Sequence, residues 1–276
     1  MKKSLIITAV LIFAAALQMS AQENAEVLQF ARGTRDPRAA ALAGAGAASA
    51  TSVAYAAFRG ASAIPFFSGT LDAGASYQKA RAGSEVGKTD NMHLGVAGRI
   101  GHLGLAIGGA YESGVPDGFF SPSNLLLSAG ASYGIGNKFA VGVNARYAQE
   151  EIAHGVTLRG FSADITASAR FAKEFTLTAG AAMLGPKVRD FSQPMHILAA
   201  AAWRHTFAQA HSLEVLADGE YYFSGSAGAS FGLEYGYKGM IFVRGGYRAG
   251  APALPSHASA GMGFAFGGFH LDAAYI

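Results

Sequence analysis

Residues 124–150 read NLLLSAGASYGIGNKFAVGVNARYAQE. On both sides of the turn GIGN at 134–137, apolar side chains alternate with small or polar ones. A period of two on both sides of a tight turn predicts an antiparallel β-hairpin. Its apolar face ends in Tyr133 and Tyr147, whereas its other face carries Gly, Ser, Asn144 and Arg146. The same two-faced pattern recurs as far as the C-terminus, so the hairpin is the repeating unit of the fold.

The N-terminus predicts export from the cytoplasm. Lys2 and Lys3 precede an apolar run at 5–17 and the small residues Ser20 and Ala21, which is the pattern of a cleavable signal peptide. The run is too short to cross a bilayer as a helix, so residues 1–21 are excluded from the fold. Without Lys2 and Lys3, the 21 basic and 18 acidic side chains of the full chain become nearly balanced. A nucleic-acid partner is therefore not expected.

The composition favours one large β domain. With 51% hydrophobic and 14% charged residues, the chain is too apolar to be disordered. The absence of cysteine excludes disulfides, a cysteine nucleophile and N-terminal lipidation. After residue 21 the sequence has no run of the ~20 apolar residues that a membrane helix requires. Any membrane-spanning part is therefore expected to consist of strands.

From Phe66 onward the sequence contains thirteen period-two segments, at spacings compatible with membrane strands of ~9–11 residues. They lie near 67–79, 91–100, 103–112, 124–134, 137–148, 157–171, 174–184, 195–205, 211–223, 226–237, 240–249, 257–267 and 269–275. The tight connections are 101–102, 134–137, 172–173, 238–239 and 267–268, and the longer ones are 80–90, 113–123, 149–156, 185–194 and 250–256. Short turns on one side and longer loops on the other are typical of outer-membrane barrels.

One parity of these segments is apolar. It includes Val141, Val143 and Phe231, and its ends carry tyrosines such as Tyr77 and Tyr111. An apolar band with aromatic residues at both rims is the lipid-facing surface of a membrane barrel. Outer-membrane lipid and lipopolysaccharide are therefore expected partners. The sequence of a soluble β-sandwich would also alternate between apolar and polar residues. Such a protein would need neither an export signal nor tyrosines at its strand ends, and we would expect it to carry more charged residues.

The opposite parity is predicted to face the barrel lumen. Its charged residues are Arg99, Glu112, Arg146, Asp164, Arg170, Arg204, Glu214, Asp218, Glu220, Glu234, Arg244, Arg248 and Asp272, with His270 beside them. Six arginines and seven acids are close to neutral, so we expect a mutually paired network. Burial of so many charges is tolerated only where they pair or stay hydrated.

These patterns predict an all-β fold, a transmembrane antiparallel β-barrel of about 12 to 14 strands in a bacterial outer membrane. The barrel domain is expected at residues 66–276. Thirteen is an awkward number, because bacterial single-chain barrels have an even number of strands. Either residues 39–51 supply a further strand or one of the segments is not a strand.

Residues 22–65 do not alternate strongly, and we expect them to form an N-terminal hatch or plug. Residues 39–50 are almost pure alanine and glycine, which is too little bulk for a core of their own. Small side chains allow two backbones to approach closely, which favours a segment tucked against something larger. A flexible exported arm is the alternative.

The sequence shows no constellation that carries chemistry. His270 and Asp272 share a strand face, but no serine or threonine lies in a nucleophile motif. The other histidines lack paired metal-ligand spacing. The glycines at 104–109 lie within a strand, whereas a nucleotide-binding loop precedes a helix. We therefore expect no catalytic, cofactor or metal site, and polar lumen groups that satisfy each other.

Two stretches resemble the PorV/PorQ branch of the FadL-like barrels of the Bacteroidetes outer membrane. Residues 33–46, GTRDPRAAALAGAG, look like that family's Gly-x-Arg and Ala-Met-Gly-Gly-Ala entry into the barrel. Residues 261–275, GMGFAFGGFHLDAAY, are similar to its late hairpin with an Asp-x-Ala-Tyr ending. Two departures are that residues 58–60 stand where the family usually has Asn-Pro-Ala, and that the family usually continues into one more strand.

The resemblance implies a non-enzymatic accessory of type IX protein secretion or cargo surface attachment. Its partners would be type IX secretion components and exported cargo proteins, contacted through longer loops such as 114–123 and 185–194. The alternative is a FadL-like passive channel for hydrophobic small molecules, in which the hatch gates the lumen. The charged, small-sided lumen face favours the first over the second. A third class, an outer-membrane lipid hydrolase, has only generic support.

Overall fold

We describe the chain from a computed structural model, which covers residues 26–81, 88–114, 123–172, 174–250 and 255–276. The predicted signal peptide at 1–21 lies outside the described residues, as does most of the predicted loop at 113–123. Among the helices of the described part, none has the length and apolar content that a membrane-crossing helix needs.

Within these residues, thirteen strands form a single antiparallel sheet in which neighbours in sequence are neighbours in space. They are β1 (Leu71–Arg81), β2 (Lys88–Ile100), β3 (Leu103–Gly114), β4 (Ser123–Ile135), β5 (Phe139–Ala153), β6 (Val156–Ala172), β7 (Phe175–Leu184), β8 (His196–Phe207), β9 (His211–Tyr222), β10 (Ala227–Tyr237), β11 (Ile241–Ala249), β12 (His257–Phe266) and β13 (Phe269–Tyr275). Each predicted segment matches one strand, with ends shifted by a few residues. The all-β prediction is therefore confirmed.

The hairpin from which the prediction started is formed by β4 and β5. Asn124 pairs with Glu150 at its open end, and Ile135 pairs with Phe139 next to the turn. The turn lies slightly later than predicted, at 136–138, and Gly136 occupies it with a φ of 61°. A left-handed residue at this point suits glycine, because a Cβ is disfavoured there.

Two details of the sequence prediction are wrong. The region 149–156 is not a longer loop, because β5 continues to Ala153 and only His154 and Gly155 separate it from β6. Polar side chains such as Glu150 and Glu151 had suggested a loop, yet they pair with β6. Residues 39–51 do not supply a strand either, because they begin in a short helix and continue without regular structure.

The two parities of the sheet have opposite surroundings. Val143 is 53% exposed and Val141 47% exposed, whereas the intervening Gly142 and the following Asn144 are buried. The exposed parity is apolar along almost every strand and ends in exposed tyrosines such as Tyr77. An apolar surface this extensive is not stable against water, so it forms the lipid-facing belt.

Residues 26–67, which we call the hatch, pack against the other, inward face of the sheet. The hatch contains a 3-10 helix (Gln29–Arg32), α1 (Pro37–Ala41), α2 (Ala56–Arg59) and a second 3-10 helix (Ala61–Phe66). Leu42, Ala57 and Ile64 are fully buried between hatch and wall. The chain runs from the long-loop end, where Glu26 bridges to Ser192, to the short-turn end of the strands.

Glycines of the wall allow the hatch to lie directly on the strands. A Cβ placed on Gly142 would stand 2.5 Å from the backbone nitrogen of Ser62. A Cβ on Gly246 would collide with the backbone of Leu42. In contrast, a Cβ on the neighbouring Gly245 would meet only one atom, at 3.9 Å. The small residues on the inward parity therefore shape the wall to the hatch.

Candidate functional site

A buried arginine of the hatch, Arg38, is held by two carboxylates of the barrel wall. Asp36 caps the N-terminus of α1 by accepting a hydrogen bond from the backbone nitrogen of Arg38 (2.9 Å), and Pro37 follows it at the first helical position. The Arg38 side chain donates from Nε to Glu234 (2.8 Å) and from Nη2 to Glu214 (3.1 Å). All three side chains are at most 4% exposed. We call Arg38, Glu214 and Glu234 the latch.

Both carboxylates of the latch have further donors. Glu234 also accepts from Arg244 Nε at 2.6 Å. Glu214 accepts from the hydroxyls of Ser49 (2.6 Å) and Thr51 (2.8 Å), which belong to the hatch. Hydrogen bonds to ionised groups are stronger than neutral ones, so the latch ties the hatch to strands β9, β10 and β11.

Asn144 fixes a second part of the hatch. Its Oδ1 accepts from the backbone nitrogen of Ala61 (3.0 Å), and its Nδ2 donates to the carbonyls of Ala56 (3.2 Å) and Ala57 (2.9 Å). The N–H of Ala61 thereby gains an acceptor, and the carbonyls of Ala56 and Ala57 gain a second donor beside Gly60 N and Ser128 Oγ, respectively. Asn144 is therefore a wall residue that binds the hatch backbone.

The two buried arginines of the hatch differ in how well their charges are compensated. Burial lowers the pKa of Arg35 to about 10, and Glu112, 3.4 Å away, offsets only part of this effect. Burial also opposes the charge of Arg38, but Glu234 and Glu214 raise the pKa of Arg38 above its ordinary value. Arg38 therefore remains a firmly charged anchor, whereas the charge of Arg35 is less fully compensated, and its terminal nitrogens donate mainly to the hatch carbonyls of residues 30, 31 and 33.

Several of the predicted lumen charges lie next to one another. The ion pairs among them are Arg146 with Asp164, Arg244 with Glu234 and with Asp272, Arg248 with Glu220, and Arg204 with Glu214. Three of these pairs join neighbouring strands. The other two pass over an intervening strand: Arg244 with Asp272 spans β11 and β13, and Arg248 with Glu220 spans β11 and β9. The fold thus brings these groups together on the inward face.

The other predicted charges contact the hatch. Arg99 and Arg170 donate to the carbonyls of Pro65 and Phe66, respectively, at the short-turn end. Glu112 pairs with Arg35, and Asp218 accepts from the backbone nitrogens of residues 46 and 47. His270 differs from these residues, because it is exposed near the last strand's start.

Five residues that join the hatch to the wall were not among the predicted site residues. Four belong to the hatch, namely Arg35, Asp36, Arg38 and Arg59, and the fifth is the wall residue Asn144. One signal was available in the sequence, since Asp36 followed by Pro37 is a helix-start pattern that positions the next residue. The destination of the Arg38 side chain depends on contacts with residues almost 200 positions away, which no local pattern reports.

A chamber of about 410 Å³ lies between the hatch and the wall. From the wall it is lined by residues at the strand ends next to the longer loops, including Gln78, Glu112, Met183 and Tyr222. From the hatch it is lined by residues 29–36, 40, 43, 44 and 47, and by Tyr55, Phe58 and Arg59. The chamber therefore occupies the long-loop half, while residues 61–66 pack against β3, β4, β5 and β6 in the other half.

A metal site has no support in the described ranges, where no group of three or more His, Asp or Glu side chains is placed to hold an ion. The chamber and the hatch that borders it form the candidate site. The polar side chains that line the chamber can form hydrogen bonds and ion pairs.

Comparison with solved structures identifies similar folds. The CymD monoaromatic hydrocarbon channel aligns with a TM-score of 0.59 and 13% identity, over 87% of this chain and 91% of that one. The toluene transporter TbuX of Ralstonia pickettii gives 0.58 and 12%, over 84% and 89%. A FadL homologue of Pseudomonas aeruginosa gives 0.55 and 12%, over 92% and 90%. No family model matches the sequence, and no curated protein does.

At such low identity, these likenesses establish the fold alone. The chain has the fold of the FadL-like outer-membrane barrels, which confirms the coarser part of the resemblance seen in the sequence. Together with the apolar outer belt, the fold also confirms the predicted location in the bacterial outer membrane.

Proposed function

We propose that this protein is a FadL-type passive channel for small hydrophobic molecules, with the hatch as its internal gate and without enzymatic activity. The observation that carries the proposal is the chamber of about 410 Å³ beside the hatch, within a fold shared with proteins described as hydrocarbon channels and toluene transporters. A volume of this size lies in the range of small-molecule sites.

The hatch has to move for a molecule to pass through the lumen. The chamber lies in the long-loop half, and the 3-10 helix Ala61–Phe66 fills the short-turn half. Ser62 in this helix is 1% exposed, and its Oγ lies 2.8 Å from that of Ser168 in the wall. The latch and these contacts would hold the closed state, and displacement of residues 61–66 would open a path.

Uptake of toluene tests the proposal. A strain that expresses the protein as its added outer-membrane barrel should accumulate radiolabelled toluene faster than the empty strain. A matched control is the protein with Ser62→Cys and Ser168→Cys, in which oxidation would cross-link the hatch to the wall. Its toluene uptake is compared before and after oxidation. Equal uptake in the empty and expressing strains would refute the channel.

The secretion accessory remains a second candidate, because the residues of the hatch and the last hairpin resemble the PorV/PorQ branch and because the latch braces the lumen. Its partners would be type IX secretion components and cargo proteins at the longer loops, where Phe191 is 46% exposed. Comparison of secreted proteins in deletion and parent strains decides between the two. Lost surface cargo with unchanged toluene uptake would favour secretion over transport.

A further inference from the structure

The lipid-facing belt has an apolar groove at its long-loop end. The groove has a volume of about 510 Å³ and is lined by β1, β2, β3 and the start of β4. Ala75 and Gly109 supply its floor, because they are the smallest outward residues of the lining and lie in one row of the sheet, on either side of Leu94. The next row toward the loops borders the groove with larger side chains, namely Tyr77, Met92, Tyr111 and Leu125.

Gly109 gives the groove its depth. Within the described residues, a Cβ placed on Gly109 would meet only the Leu127 side chain, at 3.7 Å. A Cβ on the inward-facing Gly108 would instead stand 2.6 Å from the ring of Phe58 in the hatch. Contact with the hatch therefore accounts for Gly108 but not for Gly109. Glycine inside a strand weakens the strand, and it often marks a place where a ligand approaches the backbone closely.

The groove faces the outer leaflet of the membrane, because outer-membrane barrels carry their longer loops on the extracellular side. Its apolar side chains Met92 and Leu94 are exposed on the surface of the belt. An empty space beside such side chains would forfeit their contacts with neighbouring atoms. A hydrocarbon chain of a surrounding lipid is therefore expected to fill the groove.

Positively charged residues follow directly above the groove, at the ends of β1 and β2. Lys79 lies two residues beyond Tyr77 on the same face, and its side chain is 59% exposed. Asp90, 4.0 Å away, offsets part of its charge. Arg81 and Lys88 form the last backbone pair of the two strands. Like charges opposite each other in a sheet are destabilising, so an anionic group beside this pair would be stabilising.

We infer that the groove and the basic strand ends above it bind one molecule of lipopolysaccharide. An acyl chain of its lipid A part lies in the groove, and a lipid A phosphate lies beside Arg81 and Lys88. The groove alone accommodates any acyl chain, whereas the basic residues favour an anionic headgroup. Lipid A carries both phosphates and several acyl chains, and it belongs to the outer leaflet. This site goes beyond the proposed function, because it lies on the outside of the wall and would serve a channel and a secretion accessory equally.

Native mass spectrometry of the purified full-length protein in detergent tests this inference, with lipid A, monophosphoryl lipid A and phosphatidylglycerol as probes. Lipid A should bind at one site per chain. Gly109→Leu fills the groove and should weaken this binding by about tenfold, because the acyl chain loses its packing contacts. The matched control is Gly245→Leu, which adds the same side chain to the belt at a position where a Cβ would meet only one atom of the described chain, at 3.9 Å.

The contribution of charge is tested with a second pair of variants. Arg81→Gln combined with Lys88→Gln should weaken lipid A binding by about tenfold or more, since each basic residue attracts an anionic headgroup. The matched control combines Lys138→Gln with Lys238→Gln, which removes the same charge from exposed positions at the short-turn end. Heat-modifiable gel mobility shows which variants are folded. If Gly109→Leu does not fold, the charge variants decide the result.

Each result supports or overturns the site. Weaker binding of monophosphoryl lipid A than of lipid A would support the phosphate contact. Phosphatidylglycerol binding as tight as lipid A binding would overturn the choice of lipopolysaccharide. Lipid A binding that the charge variants leave unchanged would also overturn the inference, as would the absence of lipid A binding. Toluene uptake by the native protein is measured separately, so failure of this site would leave the proposed channel in place.

Discussion

Substitution of Arg38 by Met is expected to release the hatch while the barrel stays folded. Arg38 makes two charge-assisted bonds, to Glu234 and Glu214. Loss of one member of a buried ion pair costs about 3–5 kcal/mol. We expect about 3 kcal/mol, because Glu234 keeps Arg244 and Glu214 keeps its two hydroxyl donors. Since 1.4 kcal/mol is a tenfold change, transient opening of the hatch should become roughly 100-fold more frequent.

The absence of cysteine from the chain makes this opening measurable. Ala48 lies in the hatch and is fully buried, so a single Ala48→Cys substitution reports opening through its rate of maleimide labelling. The rate is compared in the otherwise native protein and in Arg38→Met, in the same detergent. Heat-modifiable mobility checks that the strands remain assembled.

Arg204→Met is the matched control for Arg38→Met. Arg204 contacts the same Glu214, but at 3.6 Å and with its side chain 39% exposed. Because Arg204 stays partly hydrated, its ion pair contributes only about 0–1 kcal/mol. Its Nη1 also donates to the hydroxyl of Thr51 in the hatch at 2.8 Å, so labelling should rise by about tenfold or less, well below the rise expected for Arg38→Met. Equal labelling of Arg38→Met and the native protein would refute the latch.

Three further predictions concern the wall. Gly246→Ala should lower the unfolding midpoint because its Cβ collides with the backbone of Leu42, whereas Gly245→Ala should not, and equal midpoints would contradict the close packing. Val143→Arg should destabilise the folded barrel in lipid by about 2–4 kcal/mol, and Val143→Leu should not; similar unfolding curves for the two would place Val143 away from lipid. Asn144→Ala should increase proteolysis of the hatch, because the buried N–H of Ala61 loses its acceptor at a cost of about 1–3 kcal/mol, while the carbonyls of Ala56 and Ala57 keep Gly60 and Ser128 as donors; unchanged digestion would exclude this anchor.

The barrel was predictable because lipid imposes a period of two on every crossing strand. Val141 and Val143 face outward and Asn144 and Arg146 inward, as their parity indicates. The pattern failed where strands continue beyond the apolar belt, as in the polar end of β5 at Glu150 and Glu151. There both faces are polar, so alternation no longer distinguishes strand from loop.

The candidate site was only half predictable. Parity identified wall charges such as Glu214 and Glu234, because their strands are regular. The hatch has short helices without a repeating pattern, so the path of Arg38 into the wall has no local signal apart from the cap formed by Asp36. Parity placed Asn144 on the inward face, but parity gives the direction of a side chain and not its partner. The chamber lies between the hatch and the wall, so it could not be predicted from the sequence pattern of either one alone.

Toluene flux measured with the hatch fixed to the wall tests whether this protein is a channel gated by its hatch. Ser62 and Ser168 have their hydroxyl oxygens 2.8 Å apart, so cysteines at both positions are placed to form a reversible cross-link. In proteoliposomes, we predict that the oxidised double variant gives only background flux and that a reducing agent restores the flux of the native protein. Undiminished flux through the oxidised form would contradict a gating hatch, and absence of flux in the native protein would contradict a channel.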